Sequence, residues 1–100
     1  MNYEHTVNMN YDYKLVVIDQ DGDMATYSKD DIEEVHVTYR TGPERFLLWM
    51  IMQDRDTSLL GMYETLIEAE YWRDQVIGQV KKAGRSIVDL TVVEKENEKD

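Results

Sequence analysis

The sequence predicts an α+β domain: an antiparallel sheet of five to six strands, one helix over about 65–83 packed on one face, and a last strand after it. Two observations lead to this. Up to Tyr63 the chain alternates apolar and polar residues between turn signals, the period of a strand with one wet face. After Thr65 the period changes, and Ala69, Trp72, Val76, Val80 and Ala83 fall on one helical stripe.

The elements follow in order. Tyr3, His5, Val7, Met9, Tyr11, Tyr13, Leu15 and Val17 alternate with mostly polar neighbours, and Val16 and Ile18 then make the second face apolar. A strand that starts exposed and runs into the sheet interior fits this pattern; residues 1–11 read equally well as a mobile arm. Asp21-Gly22 is a hairpin signal, because tight hairpin turns need positive φ. Met24 to Ser28 returns, and Lys29 to Asp31 turns again. Glu34 to Arg40 places Val35, Val37 and Tyr39 on one face and His36, Thr38 and Arg40 on the other. Thr41 to Glu44 holds the single proline. Arg45 to Gln53 is almost continuously apolar, which predicts a strand covered on both faces. Asp54 to Asp56 turns the chain into Ser58 to Tyr63.

Thr65 and Glu68 have the spacing of a capping box, with Glu68 and Glu70 near the helix start and Lys81 and Lys82 near its end, as the macrodipole favours. Gly84 suits the position after the helix, and Gly78 within it points to close packing. Ile87 to Val93 is the last strand. Residues 1–93 are expected to form one domain and residues 94–100 a frayed charged tail.

Composition narrows the function classes. The chain has 100 residues, with 21 Asp and Glu against 11 Lys and Arg, a formal charge of −10, and no cysteine. Disulfides and thiolate chemistry are thereby excluded. So acidic a chain is a poor direct ligand for nucleic acid or anionic membrane. The first fifteen residues lack the basic-then-apolar pattern of a signal peptide, and Phe46 to Met52 is far shorter than the ~20 residues of a spanning helix. The expected location is the cytoplasm, the host's if the chain is viral.

Asp19, Asp21 and Asp23 resemble the start of a calcium loop. The glycine stands fourth instead of sixth, however, and Asp30 stands where an EF-hand has its bidentate glutamate, so an acidic hairpin tip is the better reading. His5 and His36 lack a third nitrogen or sulfur ligand. The serines lie in no nucleophile context, and no glycine-rich phosphate loop occurs. No catalytic residue, metal or cofactor is assigned, and the chain is not expected to be an enzyme.

Two features point to partners. Asp19, Asp21, Asp23, Asp30, Asp31, Glu33 and Glu34 fall within sixteen consecutive residues, opposed only by Lys29, and Asp54 and Asp56 follow. Carboxylates at alternate strand positions stand ~6.6 Å apart, a spacing comparable to that of backbone phosphates. Such a ridge would meet the basic surface of another protein as a nucleic-acid mimic, against the simpler reading of a solvated face that maintains solubility. The second feature is apolar residues on both faces of the strand from Arg45, which one helix cannot cover. The N-terminal segment, a curled sheet, a homodimer or another protein would have to do so. A third possibility is a small-ligand pocket around Trp49, Tyr63 and Trp72, with Arg40, Arg45 and Arg55 supplying positive charge for an anionic ligand.

The segment Leu60 to Ala69, continuing through Val76 and Val80 to Gly84, resembles the strand-into-helix signature of small uncharacterised proteins from phages and prophages of Gram-positive bacteria. Gly61, Tyr63, Thr65 and Ala69 carry that likeness. The resemblance implies a phage-type accessory protein that binds and inhibits a host protein. Together with the charge, it leads to an anti-CRISPR or counter-defence type of inhibitor as the expected function.

Overall fold

A computed structural model of the chain describes residues 13–42 and 44–92. The N-terminal segment from Tyr3 to Tyr11, the proline of the third turn and the charged tail lie outside these residues. The described elements are β1 (Lys14–Ile18), β2 (Met24–Ser28), a 3-10 turn (Lys29–Asp31), β3 (Ile32–Arg40), β4 (Arg45–Met52), β5 (Thr57–Tyr63), α1 (Leu66–Lys81) and β6 (Ser86–Asp89).

The α+β class and the six strands agree with the sequence reading; the single antiparallel sheet does not. The strands form two three-stranded sheets, in the orders β2-β1-β6 and β3-β4-β5. Strand β6 pairs parallel to β1, Leu15 opposite Ser86 and Ile18 opposite Asp89. Four strands and α1 separate β1 from β6, so no hairpin fixes their relative direction, and the long connection allows the parallel pairing. The 3-10 turn meanwhile takes the chain out of the first sheet before β3 begins.

Gln20 joins the sheets. Its backbone N–H donates to Leu60 O at 3.0 Å, its side-chain amide donates to Met62 O at 3.0 Å, and its side-chain oxygen accepts from Met62 N–H at 2.7 Å. One glutamine thus continues β1 alongside the edge of β5.

Helix α1 packs against both sheets. Its Ala69, Trp72 and Val76 share one core cluster with Leu15, Val17 and Val88 of the first sheet and Val35, Leu48 and Met50 of the second. Thr65 caps the helix by accepting from Glu68 N–H at 3.2 Å; the Glu68 carboxylate lies 3.4 Å from the Thr65 hydroxyl. Two expectations about the helix are corrected. It ends at Lys81, so Ala83 lies outside it and is exposed. Gly78 faces open space, where an added Cβ would meet no described residue within 4 Å. The close approach is at Gly61, where a Cβ would stand 2.8 Å from the Tyr63 hydroxyl. The Tyr63 ring folds back along β5 over that glycine, beside the bulge where β5 shifts register against β4.

The hairpin loops after β1 and β4 share one plan. Asp19 N–H donates to Asp23 O and Gly22 N–H to Asp19 O; Met52 N–H donates to Asp56 O and Arg55 N–H to Met52 O. The fourth residue of each has positive φ, 94° at Gly22 and 79° at Arg55. An L side chain in that region costs about 1–2 kcal/mol. Arg55→Gly is therefore expected to stabilise the fold by roughly 0.5–1 kcal/mol, less than the full strain because glycine also loosens the unfolded chain. Thermal unfolding followed by circular dichroism reads this directly; a lower midpoint would contradict it.

Candidate interaction surface

The acidic residues occupy two ends of the molecule. Asp19, Asp21 and Asp23 lie in the β1–β2 loop. Asp30 and Asp31 lie in the 3-10 turn, Glu33 and Glu34 at the start of β3, and Asp54 and Asp56 in the β4–β5 loop. Strand β2 separates the groups by roughly 17 Å, five residues at strand rise. The run that is continuous in sequence is divided in space, and the second end gathers six carboxylates.

That end forms because Ile32 pairs with Met52 and Gln53 N–H donates to Asp31 O at 2.7 Å. The 3-10 turn is thereby fastened to the β4–β5 loop. Asp31, Asp54 and Asp56 surround a hollow of about 350 Å³ with Tyr27 and Ser58, whose hydroxyls are 3.4 Å apart. All six carboxylate residues are exposed. Glu34 meets His36 at 3.0 Å. The other five have no ion pair among the described residues, although Lys14, Arg55 and Lys81 lie at this end of the fold.

The carboxylates do not all do the same work. Asp19 Oδ1 accepts from Asp21 and Asp23 N–H, both at 3.0 Å, and Asp54 Oδ1 accepts from Asp56 N–H at 3.0 Å. These two shape their loops. Asp19 Oδ1 faces loop amides and, among the described residues, no group of three or more acidic or histidine side chains is arranged to hold a metal ion. Among the described residues, the Asp21, Asp23, Asp30, Asp31 and Asp56 carboxylates have no hydrogen bond that shapes the fold.

Lys29 is the lone cation of the acidic run, and it is turned inward. It is 3% exposed, and its Nζ donates to Lys82 O at 2.9 Å, Gly84 O at 2.7 Å and Ser86 Oγ at 2.9 Å. Burial, and then the Lys82 charge, hold its pKa below the ordinary lysine value. Its charge is spent on the end of α1 and the start of β6, so it does not offset Asp30 and Asp31 at the surface. Neither this role nor the Gln20 clamp is expected from the sequence. The only signal was a lysine at the boundary between Ser28 and two aspartates.

The aromatic trio of the small-ligand reading does not converge. Trp49 lies on the outer face of β3-β4-β5, donating from Nε1 to Thr38 Oγ1 at 2.9 Å. Tyr63 and Trp72 belong to the core on the other side. The arginines are likewise apart: Arg40 pairs with Arg45 at one end of the sheet, and Arg55 lies in the loop at the other. The outer face itself presents Leu47, Trp49 and Ile51, half-buried, beside exposed Leu59 and Met62. The expected coverage of β4 on both faces is thus met by α1 on one side only, among the described residues.

Tyr63 carries a cost. Its hydroxyl is buried without a hydrogen-bond partner among the described residues, and burial, aided by the Glu68 charge, pushes its pKa up to about 12. An unsatisfied buried hydroxyl costs about 1–3 kcal/mol. Tyr63→Phe is expected to stabilise the fold by about 1 kcal/mol, after allowance for the small space left behind. Urea denaturation measures it; a loss of more than about 1 kcal/mol would mean that the hydroxyl has a partner. Comparisons with protein-family models, curated proteins and solved structures found no match to this chain.

Proposed function

We propose that this chain is an acidic, non-enzymatic interaction protein of phage or prophage type. It binds a host protein and inhibits it by occupying a basic surface that otherwise receives nucleic acid. The observation supporting this reading is the second acidic end: six exposed carboxylates on one tied corner of the fold, with the neighbouring lysine buried and engaged elsewhere. Asp30, Asp31 and Asp56 are the foremost contact residues, with Glu33, Glu34 and Asp54 beside them. Exposed carboxylates on a pre-formed corner steer a basic partner and lose little entropy on binding. Such binding weakens as salt rises.

The test is capture from a Gram-positive bacterial lysate by the intact chain and by the variant carrying Asp30→Lys and Asp31→Lys. Recovery of a basic nucleic-acid-binding protein by the first and not by the second supports the reading. Equal recovery by both contradicts it.

A further inference from the structure

Strand β3 is the outer strand of its sheet, and among the described residues no strand pairs with its other edge. It is nine residues long, and an edge of that length presents a row of backbone donors and acceptors for another strand. Its sequence from Glu34 to Arg40, Glu-Val-His-Val-Thr-Tyr-Arg, is complementary to itself when reversed. We propose that β3 pairs antiparallel with β3 of a second copy about a two-fold axis through Val37, joining two three-stranded sheets into one of six.

The register follows from the side chains. With Val37 opposite itself, Glu34 faces Arg40 of the other copy on the outer face, and the symmetric pair repeats this contact. His36 faces Thr38 on the same side. On the inner face Val35 faces Tyr39, an aromatic beside a β-branched residue, which is a favourable cross-strand pair. Moving the register by two residues sets His36 opposite itself or opposite Arg40 and removes both ion pairs. The groups needed are exposed: Tyr39 is 52% exposed, Arg40 is exposed, and the Glu34 side chain is 54% exposed. On pairing, Glu34 turns from its own His36, 3.0 Å away, toward Arg40, and Tyr39 leaves its ring contact with Phe46 and its hydrogen bond to Glu44.

The edge also offers a place for the incoming tyrosine. Between β3 and α1 lies a hollow of about 290 Å³, with Ile32, Val35, Ile77 and Val80 as its apolar walls. Tyr39 of the second copy, opposite Val35 on that face, points into it. The two-fold axis fills both hollows at once, as an isologous interface requires. Strand pairing supplies the affinity, and the Glu34–Arg40 pairs select the register. This dimer engages Glu34, the member of the acidic corner on the β3 edge, and leaves Asp54 and Asp56 on the loop beyond β4, so it goes beyond the proposed inhibitory contact and shares Glu34 with it.

The experiment is sedimentation velocity of the full chain in about 0.15 M salt, where screening limits repulsion between the two acidic copies, up to roughly 100 µM protein. Wild type is expected to dimerise in that range. Glu34→Arg alone and Arg40→Glu alone are each expected to weaken the dimer by about tenfold or more, because each sets like charges opposite one another twice. The double variant is expected to restore the wild-type constant to within about threefold, as restored complementarity demands. Amide exchange across 34–40 is expected to slow as protein concentration rises. A monomer throughout, single variants that dimerise as wild type does, or a double variant that stays weak would each overturn the proposal.

Discussion

Lys29→Met is expected to lower stability by about 3–5 kcal/mol, because three acceptors lose a charged donor at about 1–3 kcal/mol each, less the desolvation cost of the ammonium that is removed with it. Three acceptors converge on Nζ: the carbonyls of Lys82 and Gly84 and the hydroxyl of Ser86. The ring of Tyr13 lies beneath it, with Nζ 5.2 Å from the centroid. Methionine keeps the apolar stem and supplies no donor, so three acceptors lose their partner together. Their position raises the effect. Lys82 and Gly84 form the exit of α1, where carbonyls have no partner within the helix, and Ser86 begins β6. One ammonium therefore ties the exit of α1 to the start of β6. For a domain of this size the loss corresponds to a fall in melting temperature of roughly 15–30 °C. Lys29→Arg is expected to recover only part of it, because the planar fork of arginine does not match three acceptors set around one point. Thermal and urea unfolding followed by circular dichroism are the measurements. A Lys29→Met variant as stable as wild type would show that the buried ammonium contributes nothing net.

The second large effect concerns binding. Asp30→Lys with Asp31→Lys is expected to weaken the captured host protein's affinity by about a hundredfold, near 2.7 kcal/mol. Asp21→Lys with Asp23→Lys alters net charge by the same amount at the far end of β2. It is expected to weaken affinity by no more than about threefold, the reach of a charge more than a Debye length from the contact. Both pairs are exposed, and among the described residues none of these four side chains has a hydrogen bond that holds the fold. The comparison separates a located contact from simple attraction to total charge. Titration calorimetry against the purified partner gives both constants. Equal losses for the two pairs would reduce the effect to overall charge.

The local elements were legible in the sequence because each rests on neighbouring residues. Asp21-Gly22 marked a hairpin, Thr65 and Glu68 marked the helix start, and the alternation from Glu34 marked β3. What the sequence did not disclose depends on residues far apart in the chain. The parallel pairing of β6 with β1 joins segments that four strands and α1 separate, and the split into two sheets follows from the 3-10 turn at Lys29. Gln20 and Met62 are 42 positions apart, and Lys29 and Gly84 are 55 apart; neither pair has a sequence pattern that announces it. The acidic run was visible as composition, but its division into two ends was not. Seven acids between Asp19 and Glu34 read as one ridge even though Met24 to Ser28 was expected as a return strand between them; that β2 carries the two groups to opposite ends shows only in the fold. Asp54 and Asp56, twenty and twenty-two residues after Glu34, join the second end only because Ile32 pairs with Met52.

Gly78 and Gly61 show the same limit. A glycine within a helix and a glycine within a strand both invite the reading of close packing, and only the fold places Tyr63 over the second and open space beside the first.

The central claim is that the acidic corner occupies a surface where nucleic acid otherwise binds. It is tested most directly by competition on the captured partner, with fluorescently labelled nucleic acid bound and this chain titrated in while anisotropy is followed. The account predicts full displacement by wild type, displacement by the Asp21→Lys and Asp23→Lys variant at a similar concentration, and none at that concentration by the Asp30→Lys and Asp31→Lys variant. A ternary complex, in which the labelled nucleic acid stays bound while this chain binds as well, would contradict it.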